Sequence, residues 1–458
     1  MTDLLLTHAY FLAGDPREQE LMRPFPPLGI QYLVSYLREN GFPSVDWWDA
    51  TFHPGPAAFA PLLWDHDPRV VGFYGHTVTR PIAGEMVALC VAEGRRTIAG
   101  GPDPVQSLDA WFDMGVEVVV IGEGELTLAC LMEHLRANHW RWDDATLPAI
   151  EGIAFRRNGR IIRTAPRALI KRLDVLPWPA RTHRDLGSYF EAWRARHGET
   201  ALSMTTSRGC PYHCTWCSKQ VYGDTFRRRD VDAVIDELLA LRAEFAPDQI
   251  WFVDDMFTIN KKWVHRFCTR MVERDAVTPF YLIGRPETLD ADLVAALARA
   301  GCYRVYMSAE SGSQAVLDAM RKESTVEEIE RGAALLRGAG IELGVFVMLG
   351  YPGEAKADIL RTRDMIRRID PEVTLLSLAH PMRGTAFYDA VADKITGEKD
   401  GRLSFEMAHS PRLYEAAQRM IWSDIALRRR LRGRRVDAGL VRDLLRYPFW
   451  RAAFSALA

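Results

Sequence analysis

Over the first 140 residues or so, short apolar runs alternate with longer amphipathic stretches. Leu4–His8, Val45–Asp49, Val70–Gly75, Thr97–Gly101 and Val116–Ile121 are nearly continuous in apolar residues, the pattern of strands covered on both faces. Helical periodicity, as in Gly29–Asn40, fills the gaps between them. This rhythm predicts a parallel, doubly wound α/β sheet for residues 1–140. Ligands of such sheets bind outside the carboxyl ends of the strands. Those ends carry His76 and Thr77, then Gly100, Gly101, Pro102 and Asp103, then Gly122, Glu123, Gly124, Glu125 and Thr127. Glycines there let a large ligand approach the backbone, and Glu125 and Thr127 sit near a helix start where they can hydrogen-bond it.

A second series follows at residues 199–395, with six strand–helix repeats. Its apolar runs are Thr200–Thr206, Gln249–Val253, Pro279–Ile283, Tyr303–Met307, Ile341–Val347 and Glu372–Ser377. Six units rather than eight predict an open, partial (β/α)6 barrel, with its site again at the strands' carboxyl ends. Between the two series, residues 141–198 hold a hairpin pattern turning at Asn158-Gly159 and the proline-restrained Leu173–Pro179, which predicts a connector between domains. Residues 396–458 read as a small helical C-terminal region.

Composition narrows the picture slightly. The chain has 458 residues, 48% of them hydrophobic, and a formal net charge of −2, so there is no overall bias toward nucleic acid. No apolar run reaches membrane-spanning length, and Met1–Leu6 lacks the basic start and length of a secretion leader. The one basic concentration is Arg428, Arg429, Arg430, Arg432, Arg434 and Arg435, followed by Tyr447–Trp450. A solvated face is its plain reading, and contact with an anionic membrane or an acidic substrate stays open. Four of the seven cysteines, Cys90, Cys130, Cys268 and Cys302, are scattered and read as small buried hydrophobes.

The other three, Cys210, Cys214 and Cys217, fall within eight residues in Cys-Pro-Tyr-His-Cys-Thr-Trp-Cys, entered through Thr206-Ser-Arg-Gly209. Three thiolates cannot complete a tetrahedral zinc site, nor can three pair off as disulfides. They can hold three irons of a 4Fe-4S cluster and leave the fourth iron open. The C-x-x-x-C-x-aromatic-C arrangement resembles the radical S-adenosylmethionine (SAM) signature. In that family SAM chelates the open iron through its amino and carboxylate groups. A cluster without a secretion leader implies a reducing cytoplasm.

Bound SAM needs a carboxylate for its ammonium and ribose, a cation or donors for its own carboxylate, and a flat apolar surface for adenine. At the barrel strand ends Glu310 with Asp254 or Asp255 answers the first need, Arg285 the second, and Trp216 with the strand end at Ser377 the third. The Gly-Gly-Pro and Gly-Glu-Gly-Glu loops of the first domain, ahead of this motif, resemble the Rossmann-like cobalamin-binding domain that precedes some radical SAM barrels. Histidine is common in that family where this chain has Asp103. No D-x-H-x-x-G occurs, so the resemblance implies cobalamin bound without a protein imidazole on cobalt, His76 being the nearest histidine. The lead-in Arg23-Pro-Phe-Pro-Pro and Asp49-Ala-Thr-Phe52 are similar to the subgroup of anaerobic magnesium-protoporphyrin ester cyclases and hopanoid methylases.

The resemblance as a whole implies a class B-like C-methyltransferase. Such an enzyme acts on an unactivated carbon of a small-molecule substrate through a 5′-deoxyadenosyl radical, with electrons from a donor such as flavodoxin or ferredoxin. A cobalamin-dependent cyclase or ring-rearranging enzyme is the first alternative. A non-catalytic cobalamin sensor is the second.

Overall fold

The computed structural model describes residues 2–399, 402–432 and 438–457, the side chains of 432 and 438–441 excepted. The strands of the first half are β1 (Thr2–His8), β2 (Val45–Trp48), β3 (Pro68–Tyr74), β4 (Arg96–Gly100), β5 (Val118–Val120), β6 (Ile153–Arg157) and β7 (Arg160–Arg163). They form one sheet in the order β2-β1-β3-β4-β5-β6-β7, parallel through β5 and antiparallel beyond it. Alternate residues feed two cores, one on each face: Leu5, Val71, Phe73 and Val119 on one, Leu4, Leu6, Val70, Ile98 and Val118 on the other.

The hairpin predicted as part of a connector is instead the edge of this sheet, Val118 pairing with Phe155 and Val120 with Ile153. Without it β5, three fully buried valines, would be an unpaired apolar edge. The first sheet therefore extends past residue 140, to Arg163.

The second half contains β8 (Ala201–Met204), β9 (Ser207–Arg208), β10 (Arg227–Arg228), β11 (Gln249–Phe252), β12 (Phe280–Gly284), β13 (Cys302–Glu310), β14 (Glu342–Leu349) and β15 (Val373–Leu378). Strands β8, β11, β12, β13, β14 and β15 lie side by side in sequence order, all parallel, as the six repeats predicted. Met204, Phe252, Leu282, Val305 and Val345 point into the core shared with the flanking helices.

Two features join the halves. The proline-rich lead-in is pinned at Phe25, whose ring lies 5.3 Å from Trp193 and 4.9 Å from Trp251, while Trp193 Nε1 donates to the Pro24 carbonyl at 2.8 Å. The Tyr189 hydroxyl, on the helix His183–His197, donates to Asp49 of the first domain at 2.6 Å.

The C-terminal region is not wholly helical. It begins with an antiparallel hairpin, β16 (Ile395–Lys399) and β17 (Arg402–Phe405), before the helices Pro411–Arg432 and Ala438–Ala456. Glu398 of the hairpin accepts from Arg80 of the first domain and from Arg383 of the barrel.

The described part of the basic concentration is spent on structure. Arg428 donates to the Arg367 carbonyl at 2.8 Å, Arg429 to the Glu372 carbonyl at 2.6 Å, and Arg430 to Asp443 at 2.8 Å. Arg434 and Arg435 lie outside the described residues, as does the Arg432 side chain. Among the described residues no helix is long and apolar enough to cross a membrane.

A candidate active site at the domain joint

The cysteine loop leaves β8 and is clasped at its base by a two-stranded ribbon in which Arg208 pairs with Arg227. Gly209 has φ +82°, and a Cβ there would overlap the Thr225 carbonyl, so this turn needs glycine. Asp254, at the end of β11, anchors the lead into the loop. Its carboxylate accepts from the backbone N–H of Thr206 at 2.6 Å and of Ser207 at 2.8 Å, and from Arg228 at 3.3 Å. Thr215 closes the far side, its N–H donating to the Met320 carbonyl at 3.1 Å.

Cys210, Cys214 and Cys217 are all free thiols lining one cavity of about 700 Å³. Hydrogen bonding from Cys217 holds the Cys214 thiol down, to about 6, and the same bond with burial pushes Cys217 up. Burial also raises Cys210. Among the described residues no three His, Cys, Asp or Glu side chains converge as they would on a single metal ion. A polynuclear cluster asks less convergence, because each thiolate reaches a different iron.

Trp216, Asp255, Arg285 and Glu310 line the same cavity. Glu310 is 7% exposed and has φ +60°, at a register shift in the β13–β14 pairing. A non-glycine residue held there costs on the order of 1–3 kcal/mol, strain that marks functional sites. Burial raises the Glu310 carboxyl above the usual range, with the Lys322 ammonium, 3.7 Å away, pulling the other way. Burial and the neighbouring Asp254 raise Asp255 likewise.

The other two residues expected to bind SAM are placed elsewhere. Asp254 is consumed as the loop anchor, and Ser377 is exposed, bonded to the Val347 carbonyl at 3.4 Å, away from the cavity lining. The reason is local. Asp254 faces a cluster of backbone donors, and Ser377 lies on β15, the edge strand opposite the one that leads into the cysteine loop.

From the first domain, His76, Thr77 and Pro102 line the large cavity. A second cavity, of about 270 Å³, is lined by Gly100, Gly101, Gly122, Glu123, Gly124 and Glu125. The two cavities meet at Leu28, Gly29, Ile30, Tyr74, Tyr222 and Asp255, which line both. Sequence and geometry therefore place the cysteine loop and the glycine-rich strand ends on two adjoining cavities.

Comparison with known proteins agrees. Residues 204–366 match the radical SAM superfamily, and residues 21–131 match the B12 binding domain. The chain belongs to the cobalamin-binding radical SAM family.

An uncharacterized methyltransferase of Pyrococcus horikoshii is 28% identical over 81% of this chain and 79% of its own length. An anaerobic magnesium-protoporphyrin IX monomethyl ester cyclase of Cereibacter sphaeroides is 25% identical over 82% of this chain, which spans 62% of that protein. Among solved structures, the radical SAM methyltransferase TsrM from Kitasatospora setae superposes with a TM-score of 0.72 at 20% identity, over 86% of this chain and 75% of its own. The cobalamin-dependent SAM radical enzyme OxsB reaches 0.77 at 16% identity, over 99% of this chain and 72% of its own. At those identities the two structures speak for the fold alone.

The residues present fit the family's cofactors. The cysteine cavity has buried cations beside Cys214, Lys322 and Arg285, which suit an anionic cluster. Gly101, at φ +104°, leaves no room for a Cβ between the Gly75 carbonyl (2.8 Å) and the Tyr74 ring (2.9 Å), so bare backbone forms that wall of the smaller cavity, as a large ligand pressed against the strand ends would need. His76, just past the end of β3, accepts at Nδ1 from the Val78 N–H at 3.5 Å.

The carboxylates of the Gly-Glu-Gly-Glu loop serve the joint between domains. Glu123 accepts from Arg208 at 2.8 Å, Arg227 at 2.7 Å and the Ile170 N–H at 2.8 Å, and Glu125 accepts from Arg208 at 2.5 Å. Thr127 accepts from Arg167 at 2.9 Å and lines neither cavity.

Sequence reasoning missed Lys322, Arg208 and Tyr74. Lys322 sits in a polar turn after a short helix, and nothing in Arg321-Lys-Glu323 signals burial, yet it is 2% exposed. Arg208 stood inside the quoted loop, but its partners are more than 80 residues away.

Proposed function

We propose that this chain is a cobalamin-dependent radical SAM C-methyltransferase whose substrate is a small molecule carrying an unactivated carbon. One observation carries the reading: the three cysteines, Glu310 and Lys322 share a cavity with the carboxyl ends of the first domain's strands. A methyl donor on the first domain and a hydrogen-abstracting centre on the barrel would then face the same substrate. When bound, the cluster supplies the electron that cleaves SAM to a 5′-deoxyadenosyl radical, and cobalamin carries the methyl group.

The chain's own residues do the positioning. Glu310 takes SAM's ammonium or ribose hydroxyls, Lys322 takes its carboxylate, and Trp216 offers a flat apolar surface. Arg208, between the Tyr32 and Tyr222 rings, seals the joint against water. Several relatives bear methyltransferase names, among them bacteriochlorophyllide d C-12(1)-methyltransferase and tryptophan 2-C-methyltransferase. The reading requires a low-potential electron donor, such as flavodoxin or ferredoxin.

The test is a reconstituted, cobalamin-loaded full chain reduced anaerobically with SAM. Both 5′-deoxyadenosine and S-adenosylhomocysteine should form. The first product without the second points to the cyclase or rearrangement chemistry of relatives such as the magnesium-protoporphyrin cyclases. Neither product would leave a cobalamin-binding protein without turnover.

A further inference from the structure

Arg285 lies beside the cysteine loop, but its hydrogen-bonding groups are not free for a ligand. Its side chain is 1% exposed. Nε donates to Glu287 and Nη2 to the Lys322 carbonyl, while the guanidinium carbon stands 3.6 Å from the centre of the Tyr212 ring. The remaining arm, Nη1, points at Cys214 Sγ, 3.7 Å away, within the reach of an N–H···S bond. The Arg285 N–H is itself tied to Thr258 Oγ1 at 3.3 Å, so the backbone beneath the guanidinium is held too. Tyr212 and Cys214 both belong to the cysteine loop. The group is thus clamped against the loop from three sides, with one donor aimed at a ligand sulfur.

We propose that Arg285 sets the reduction potential of the cluster, through its N–H···S contact with Cys214 and its buried positive charge, and does not bind SAM. This rests on the reading of Cys210, Cys214 and Cys217 as cluster ligands. Reduction by one electron, delivered by a low-potential donor, takes the cluster from the 2+ to the 1+ state and adds one negative charge beside Cys214. A donor bond to the sulfur and an adjacent cation both stabilise the more negative state, so both raise the potential. Glu287 works against this by partly neutralising the guanidinium. Lys322, whose ammonium is 3.7 Å from Glu310, is then the cation left for SAM's carboxylate. Each nitrogen of the Arg285 guanidinium already has a partner.

The test is an EPR-monitored redox titration of the anaerobically reconstituted full chain, without SAM, using dithionite as reductant. In Arg285→Gln the reduced-to-oxidised ratio at a fixed potential should fall about tenfold, which is ~59 mV for a one-electron couple. Arg285→Lys keeps the charge but loses the fork and should fall between wild type and Gln. Glu287→Gln, which frees the guanidinium from its counter-ion, should shift the midpoint the opposite way. SAM affinity, measured on the same preparations by equilibrium dialysis, should stay within about threefold of wild type in Arg285→Lys.

Midpoints of Arg285→Lys and Glu287→Gln that coincide with wild type overturn the proposal. So does an Arg285→Lys variant with an unchanged SAM-free midpoint and SAM affinity down tenfold or more, which would return Arg285 to the SAM site. If Arg285→Gln fails to assemble a cluster, the other two variants, which keep a cation in place, decide. A wild-type chain that takes up no 4Fe-4S iron overturns the underlying cluster reading, a different result from an insensitive potential.

Discussion

Replacing Glu310 with glutamine separates a SAM ligand from a structural ion pair. Lys322 is the charged partner recorded for the Glu310 carboxylate, at 3.7 Å. At an effective dielectric of about 20 that separation is worth roughly 4.5 kcal/mol of gross attraction. Burial nevertheless leaves the carboxyl above its usual range, so desolvation outweighs Lys322. An acid whose folded pKa is raised destabilises the folded chain at any pH above its unfolded value, and Glu310 is therefore a net cost at neutral pH. Glutamine removes that cost but leaves the Lys322 ammonium buried and unpaired. These two effects oppose each other, and unfolding stability should change by less than about 1.5 kcal/mol.

SAM binding has no such compensation. A carboxylate bonded to an ammonium or ribose contributes about 1.5–3 kcal/mol, so affinity should fall roughly 10- to 150-fold. Calorimetric melting and SAM equilibrium dialysis on one anaerobic preparation read both quantities, and 5′-deoxyadenosine yield should fall with affinity. Unchanged affinity per folded molecule, with a clearly lower melting temperature, would refute the assignment and make Glu310 a partner of Lys322 alone.

Three further outcomes are expected. Cob(II)alamin bound to the full chain should show no nitrogen superhyperfine splitting in its EPR spectrum; a split signal that vanishes in His76→Ala would mean that the imidazole does reach cobalt. Arg208→Met leaves Glu123 and Glu125 buried without their shared cation and should lower stability by about 3–5 kcal/mol in urea unfolding, with weaker cobalamin uptake; a loss below ~1 kcal/mol would show that the clamp is dispensable. Glu354, 1% exposed, has its carboxyl raised by burial to about 7. The folded chain therefore holds a proton there that the unfolded chain releases, and stability should decline as pH rises from about 4.5 through 7, by on the order of 3 kcal/mol in all. Glu354→Gln can still accept from the Gly350 N–H and should flatten that decline, and an unchanged pH profile in the variant would place the titration elsewhere.

Much of the architecture was legible from local pattern. Strands covered on both faces must be apolar throughout, so Val70–Gly75 or Ile341–Val347 declare themselves, and the spacing between them admits little but crossover helices. The cysteine motif was equally plain, because its three thiols come from one short loop. So was the need for glycine at 209, a property of the backbone at that residue.

What the linear chain could not carry is which polar group meets which across the joint. Asp254 and Asp255 are adjacent and chemically alike, yet the first is bound by backbone donors of Thr206 and Ser207 and the second lines the cavity. Glu123 and Glu125 sit at strand ends where a ligand would bind, but arginines from a ribbon more than 80 residues on claim them. The surroundings of Arg285 and Lys322 were hidden for the same reason. Each one's surroundings depend on partners brought near by the fold, Cys214 for the first and Glu310 for the second. Covalent spacing and periodicity determined the elements and the cluster loop. The pairing of buried charges was decided only in three dimensions, because a charge taken out of water is held by whatever counter-charge the fold brings to it.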